Sequence, residues 1–424
     1  MQKFKRFDFV KKPKRMMFVL RPVAKLLFKP PFKKHHTIVR YHNGVENLKP
    51  PFILLGNHNA YLDFSVTAHC IKYHPCNFVV AIDGFIGREG LLRGLGCIGK
   101  RKFTKDILLI RHVKDVLDRG DIPVIYPEAR YSLCGTTALL PESIGKMIKL
   151  FKVPVATVIC HGNHINQPFY DTSCERGIDH NEGDFYLLFT KEDTEKLSVD
   201  EINERLVENF QYDEYKWQKD NKIKITYPNR CDGLEKVLYK CPHCGTEFEM
   251  KFKGNKLYCD HCHKEWEMDE YGEMHALEGE TEFPHIPDWY EWERKCVREE
   301  IEKGTYTTGK LKCKVESLPN AKKFIDIGEG YFIQDMNGIR CEINDKTKSD
   351  TTEIVQAADE NYAVHIEYRY LFTHGDCIDL NTMDDTWYVY PEGRFNVTKI
   401  SLATEELYLY NKRLKGLPIK KGLA

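Results

Sequence analysis

His58 and Asp63 are the residues of this chain whose types and spacing speak most directly of chemistry. They lie in the stretch FILLGNHNAYLD, residues 52–63, where an apolar run of strand length stops at Gly56 and presents His58 between Asn57 and Asn59. On an unbroken helix, residues five apart lie about 140° round the axis, so this pair does not share a helical face. If His58 instead sits in a turn, with Asn57 or Asn59 capping a helix that begins near Ala60, Asp63 folds back onto it. A carboxylate on one imidazole nitrogen fixes the tautomer and leaves the other nitrogen free to take a proton from a hydroxyl. The pair then acts as a base with its orienter. Read alone, the same spacing also fits a surface histidine capping a helix.

Two further groups carry chemistry. After the apolar run Ile122 to Tyr126 comes Pro127-Glu128-Ala129-Arg130-Tyr131-Ser132, a proline-stiffened turn with a carboxylate and a guanidinium. It suits a polar, anionic headgroup, with Arg130 gripping phosphate oxygens in a bidentate fork. By itself the string also fits a strand-to-loop turn with a surface ion pair. Further on, Cys241-Pro-His-Cys244 and Cys259-Asp-His-Cys262 stand fourteen residues apart. Two such knuckles place four thiolates tetrahedrally on a structural zinc with no open position, the alternative being paired redox knuckles.

The elements that must position these groups alternate. Strands are expected at 52–55, 77–82, 122–126 and 155–160, with helices at 61–73, from a Thr104 cap to Gly120, and at 142–151. Such alternation argues for an α/β layer around a mainly parallel sheet, and ligands collect where its strands end. A helix start near Asn59 and Ala60 leaves backbone N–H groups free to meet an anionic oxygen. Ser198 and Glu201 form a capping box before another helix. A helix is expected from Pro287 to Lys303, then short strands such as Gly330 to Gln334, Ile339 to Ile343 and Tyr362 to Tyr370, and a last helix over 397–412. Strands closed by a helix suit a small barrel of the pleckstrin-homology type.

Asn-His-x-x-x-x-Asp after a strand, followed seventy residues later by aromatic-Pro-Glu-x-x-x-Ser, resembles the glycerolipid acyltransferase family, of which 1-acyl-glycerol-3-phosphate acyltransferase is the type. Gly96-Cys97-Ile98 with Lys100 and Arg101 is similar to the block that carries a substrate-binding arginine, and Val153-Pro154-Val155 to the family's valine-proline block. The resemblance spans roughly residues 45–230. It implies His58 and Asp63 as catalytic residues, with Glu128, Arg130, Arg101, Lys100 and Ser132 binding substrate. It also implies acyl transfer to a lysophospholipid from acyl-CoA or an acyl carrier protein. Where the family has Phe-Pro-Glu-Gly-Thr-Arg-Ser, this chain has Ala129 for the glycine, its arginine one place early, and Tyr131 in the arginine's seat. Tyr390-Pro391-Glu392-Gly393-Arg394 looks closer to that string, but lies more than three hundred residues from His58 and reads as a hairpin turn.

Charge is unevenly spread. Residues 1–45 hold 13 Lys or Arg against one acid, Asp8, a net +12, so the rest of this electrically neutral chain carries −12. Bulky apolar residues among the bases suit an interfacial segment on an anionic membrane surface better than a nucleic-acid tail. Fifteen cysteines and no secretory signal point to the reducing cytoplasm, and no apolar run is long enough to span a bilayer.

The expected architecture is α/β: a basic membrane-associating arm (1–45), an acyltransferase domain (46–230), a zinc ribbon (231–275) and a helix plus strand-rich domain (276–424), placed peripherally at the inner face of the cell membrane. No nucleic-acid partner is expected. The other readings are a zinc-dependent nucleic-acid-binding protein, which the ribbon's Glu247, Glu249, Glu265 and Glu267 oppose, and an inactive acyltransferase-like scaffold.

Overall fold

The computed structural model describes residues 4–104, 106–348, 350–369 and 375–424. Its first sheet contains β1 (Ile38–His42), β2 (Ile53–Gly56), β3 (Cys76–Ala81), β4 (Ile98–Lys100), β5 (Ile122–Ile125), β6 (Val155–His161) and β7 (Glu182–Phe189), in the order β1-β7-β6-β2-β5-β3-β4. All pairings are parallel except β6 with β7, so the sheet is mainly parallel as the alternation implied. Along it run α1 (Arg21–Lys34), α2 (Asp63–Cys70), α3 (Glu89–Gly94), α4 (Ile107–Asp118), α5 (Ser143–Phe151), α6 (Asn163–Asn166), α7 (Lys191–Lys196), α8 (Val199–Asn209) and α9 (Glu214–Asp220).

Central strand β2 is buried along its whole length because both faces are covered. Leu54 packs in one apolar cluster with Val66 of α2, while Ile53 and Leu55 point to the other face, with Val113 of α4 and Ile148 of α5. The expected capping box at Ser198 is present. At α4 the cap is Asp106, whose carboxylate accepts from Leu108 and Leu109, whereas Thr104 turns back to the Arg101 carbonyl.

The ribbon is a four-stranded antiparallel sheet, β8 (Met250–Lys253), β9 (Lys256–Cys259), β10 (Glu265–Met268) and β11 (Met274–Ala276). After α10 (Ile286–Glu302) come β12 (Leu311–Ser317), β13 (Ile325–Asp335), β14 (Gly338–Asp345), β15 (Asp350–Ala357), β16 (His365–Glu367), β17 (Cys377–Asn381) and β18 (Thr386–Pro391), then α11 (Val397–Leu414). Their order, β15-β14-β13-β12-β18-β17-β16, is two antiparallel meanders joined between β12 and β18, with a helix after the last strand. Among the described residues β15 and β16 do not pair, and Tyr370, the expected end of one strand, lies outside them. The Tyr390 string ends β18 and leads into α11, so it is a strand-to-helix connection and not a hairpin.

The parts are not separate bodies. One apolar cluster runs from Leu133 and Tyr215 through Trp266 of the ribbon and Trp289 of α10 to Val389 and Leu407. The basic arm is docked as well: Phe7 is buried against Phe85, its N–H donates to the Pro319 carbonyl, and β1, inside the expected arm, is a strand of the first sheet.

Candidate active site

The stretch from Gly56 to Asp63 forms a turn locked from both sides. Asn57 Nδ2 and Asn59 Nδ2 both donate to the Cys160 carbonyl on β6, at 2.9 and 3.2 Å, and Asn57 Oδ1 accepts from the Cys160 N–H. The flanking asparagines therefore fix the backbone that projects His58. Gly56 is required here, since a Cβ at this position would lie 2.9 Å from Tyr126 Cε1.

Asp63 begins α2 and is wholly buried. Its Oδ2 meets His58 Nδ1 at 3.1 Å and accepts the N–H groups of Asn59 at 2.6 Å and Ala60 at 3.0 Å. His58 and Asp63 thus form the expected pair. Two expectations change with it. No asparagine caps α2, whose N-cap is Leu62, and the two amides offered to an oxyanion are taken by the carboxylate. With Nδ1 on Asp63, His58 Nε2 has no hydrogen-bond partner among the described residues. The imidazole lies between Tyr126, with ring centroids 4.3 Å apart, and Tyr131, at 4.1 Å.

Glu128 comes to the same place from β5. Its Oε1 accepts the His58 backbone N–H at 3.1 Å and its Oε2 the Ala138 N–H at 2.9 Å, with the Tyr212 hydroxyl at 3.2 Å from Oε2. Burial pushes its carboxyl up to about 7, against those donors and Arg130, which favour the charged form. Ser132 joins the same junction, its N–H donating to the His58 carbonyl and its hydroxyl to the Thr136 carbonyl.

The expected headgroup arginines are elsewhere. Ala129 adopts φ 56°, the left-handed conformation that favours glycine, and Arg130 turns away from His58. Its guanidinium donates to Ser401 Oγ at 2.7 Å and pairs with Glu405 on α11, buried throughout. Arg101 donates to Thr386 Oγ1 at 2.6 Å and to the Leu318 and Asp384 carbonyls. Arg130 is thus a strut to α11 and Arg101 a strut to the C-terminal sheet. Lys100 Nζ donates to the Thr104 carbonyl.

The next residue, Lys102, lies 3.2 Å from Asp83 and 3.5 Å from Glu367 and Asp379, a cluster that sequence alone does not bring together. Burial disfavours its charge, but the carboxylates outweigh burial and hold its pKa above the ordinary lysine range. Its charge and those of Glu367 and Asp83 reach Tyr131, the ring lying on His58. Only the run of three bases signalled it. Cys134 and Cys160 are buried, and burial raises both thiols. His164 is a core histidine that burial holds down to about 3.

The four ribbon cysteines also come together. Their Sγ atoms lie within 4.8 Å of one another, with 3.7 Å between Cys241 and Cys262 and 3.8 Å between Cys244 and Cys259. A tetrahedron with Zn–S of about 2.3 Å has edges of about 3.8 Å, so this donor set fits a metal ion.

Residues 38–161 match the family described as Acyltransferase. The matched stretch contains both the His58 turn and the Glu128 turn. Among solved structures, the 1-acyl-sn-glycerophosphate (LPA) acyltransferase PlsC from Thermotoga maritima is similar at 17% identity, over 45% of this chain and 76% of that one, with a TM-score of 0.36. Comparison with curated proteins gives no match.

Proposed function

We propose that the protein transfers a fatty acyl chain from the thioester of acyl-CoA or an acyl carrier protein to a hydroxyl of a lysophospholipid, with 1-acyl-glycerol-3-phosphate as acceptor and phosphatidic acid as product. The observation that carries this reading is His58 Nδ1 on Asp63 with Nε2 free, inside an acyltransferase-family domain. His58 Nε2 takes the proton of the acceptor hydroxyl as its oxygen attacks the thioester carbonyl. The tetrahedral intermediate collapses, the C–S bond breaks, and the thiolate leaves with the proton held by His58. Asp63 stabilises the imidazolium between these steps, and base catalysis of this kind contributes about 10²- to 10⁴-fold. Glu128 holds the His58 backbone.

The protein works at an anionic membrane surface. No helix among the described residues is long and apolar enough to cross a membrane. The N-terminal segment supports peripheral attachment: Phe18, Val19 and Leu26 are 77%, 68% and 74% exposed, next to exposed Lys25, Lys29 and Lys33. The four cysteines hold a structural zinc that cross-links the ribbon and takes no part in transfer.

The test is product analysis by mass spectrometry, with a panel of lyso-lipids offered to the purified chain with each donor. A diacyl product from 1-acyl-glycerol-3-phosphate is expected. No acylated product from any acceptor with either donor would return the chain to the scaffold reading.

A further inference from the structure

Asp63 has a fourth donor that the pair with His58 does not explain. Its Oδ1, the oxygen turned away from His58, accepts from Asn163 Nδ2 at 2.6 Å. Asn163 opens α6, directly after β6, and its own side-chain oxygen accepts from Asn181 Nδ2 at 2.6 Å. Both asparagines are fully buried, at 1% and 0% exposure. An amide carries one oxygen and one NH₂ group. Because Asn181 donates to the oxygen of Asn163, the NH₂ of Asn163 has to face Asp63. Asn181 therefore sets the direction of a bond that it does not make.

Asn181 is in turn held by its backbone. Its carbonyl accepts from Ile38 at 2.9 Å and its N–H donates to the His35 carbonyl at 3.3 Å, the point where α1 ends and β1 enters the sheet. Phe32 of α1 also stacks on His69 of α2, with ring centroids 3.7 Å apart, and α2 begins at Asp63. The carboxylate under His58 is thus connected to the end of the basic helix by side-chain hydrogen bonds on one side and by helix packing on the other.

We propose that Asn163 and Asn181 are positioning residues for acyl transfer, a relay that holds the Asp63 carboxylate beneath His58 and anchors it to the entry of β1. The proposal rests on the reading of His58 as the base. A dyad needs its carboxylate held within a fraction of an ångström if the free imidazole nitrogen is to meet a hydroxyl in line. Asp63 Oδ2 is fixed by the turn it closes, and Asn163 supplies the donor that holds Oδ1, so that both oxygens of the carboxylate are tied. A pair of core asparagines that merely satisfied each other would affect folding alone. These two also act on the electronics of the base. Each donor on Asp63 draws off part of the negative charge that stabilises the imidazolium, so removing one makes His58 hold its proton more strongly. The titratable groups packed on the imidazole are Asp63 from α2 and Tyr126 and Tyr131 from the turn after β5, while Glu128 touches only its backbone. None of these is altered by the variants below.

The experiment compares Asn163→Ala, Asn181→Ala and the milder Asn181→Ser in the full chain, with circular dichroism and thermal melting to confirm folding. Orienting partners one bond removed from the reacting groups are worth roughly 10- to 100-fold. We expect kcat to fall by about that factor in Asn163→Ala, less in Asn181→Ala and least in Asn181→Ser, with KM for the thioester unchanged. The acid limb of the kcat/KM profile moves to higher pH in the same order. Titration of the His58 ring, followed by NMR with histidine labelled at Cε1 and assigned by its loss in His58→Ala, shows the same displacement in the resting chain. Folded variants whose acid limb and His58 titration both stay in place would overturn the relay. If the wild-type chain acylates nothing, the base reading fails, and the NMR titration still decides whether Asn163 and Asn181 act on Asp63.

Discussion

The backbone amide of His58 donates to Glu128 Oε1 at 3.1 Å, joining two turns that stand seventy residues apart in the chain. Glu128 thereby fixes the position of the base without touching its ring. The Glu128→Gln variant keeps the shape but replaces one acceptor by a donor facing an N–H group. Transfer is expected to fall by roughly 10²-fold, the order set by misplacing a reacting group by about 1 Å. Glu392→Gln, on an exposed side chain beyond β18, leaves the rate unchanged. Steady-state kinetics of the two variants side by side checks both.

The same carboxyl links stability to pH. Its folded pKa is raised from 4.5 to about 7, so the folded chain holds a proton that the unfolded chain releases. This contribution is fully present below pH 4.5 and is lost as pH rises through about 7, with a total of about 3 kcal/mol. Urea unfolding of wild type and Glu128→Gln between these pH values measures it. The variant is expected to lack this part of the slope.

Ala129 stands where the resembling family has glycine, at φ 56°. Left-handed backbone costs an L-residue about 1–2 kcal/mol, offset in part by the greater freedom of unfolded glycine. Ala129→Gly is therefore expected to stabilise the chain by roughly 0.5–1 kcal/mol without slowing transfer, as read by denaturant midpoints and turnover.

Arg130 separates a strut from a substrate ligand. In Arg130→Met, Glu405 keeps the partly exposed Arg294 at 2.6 Å but loses its buried cation. The chain should lose about 3 kcal/mol of unfolding free energy. The KM for a lysophospholipid, measured below the variant's melting temperature, stays at the wild-type value. A large rise in KM without loss of stability would return Arg130 to the headgroup.

Local chemistry made much of the site legible before any fold was known. The approach of His58, Asp63 and Glu128 is legible because His58 and Glu128 follow the ends of two apolar strands and Asp63 begins the helix a short turn later. The two cysteine knuckles were readable because metal spacing is itself local. The partners of Arg130 and Arg101 are not legible in the sequence, because Ser401 and Glu405 lie 271 and 275 residues from Arg130 and Thr386 lies 285 from Arg101. The amides of Asn59 and Ala60 were misread for the opposite reason: the nearest carboxylate, Asp63, reached them first. In the C-terminal sheet the strand pattern is visible, but not that its Glu367 and Asp379 meet Lys102 beyond β4 of the first sheet.

Metal analysis tests the ribbon. One zinc per chain is expected, lost in Cys259→Ser. Because Trp266 of the ribbon packs on Trp289 of α10, with centroids 5.1 Å apart, a chelator should lower the melting temperature of the C-terminal half and not of the ribbon alone. Tryptophan fluorescence during chelation reports it.

The central claim is that His58 is the base of a thioester-to-hydroxyl transfer. Its most direct measurement is thiol release from acyl-CoA in the presence of 1-acyl-glycerol-3-phosphate by wild type and His58→Ala, with the melting temperature of each taken in the same buffer. Acceptor-dependent release by wild type is expected, lowered by at least about 10²-fold in a variant that melts at the same temperature. Equal release by wild type and a folded His58→Ala chain would contradict the account.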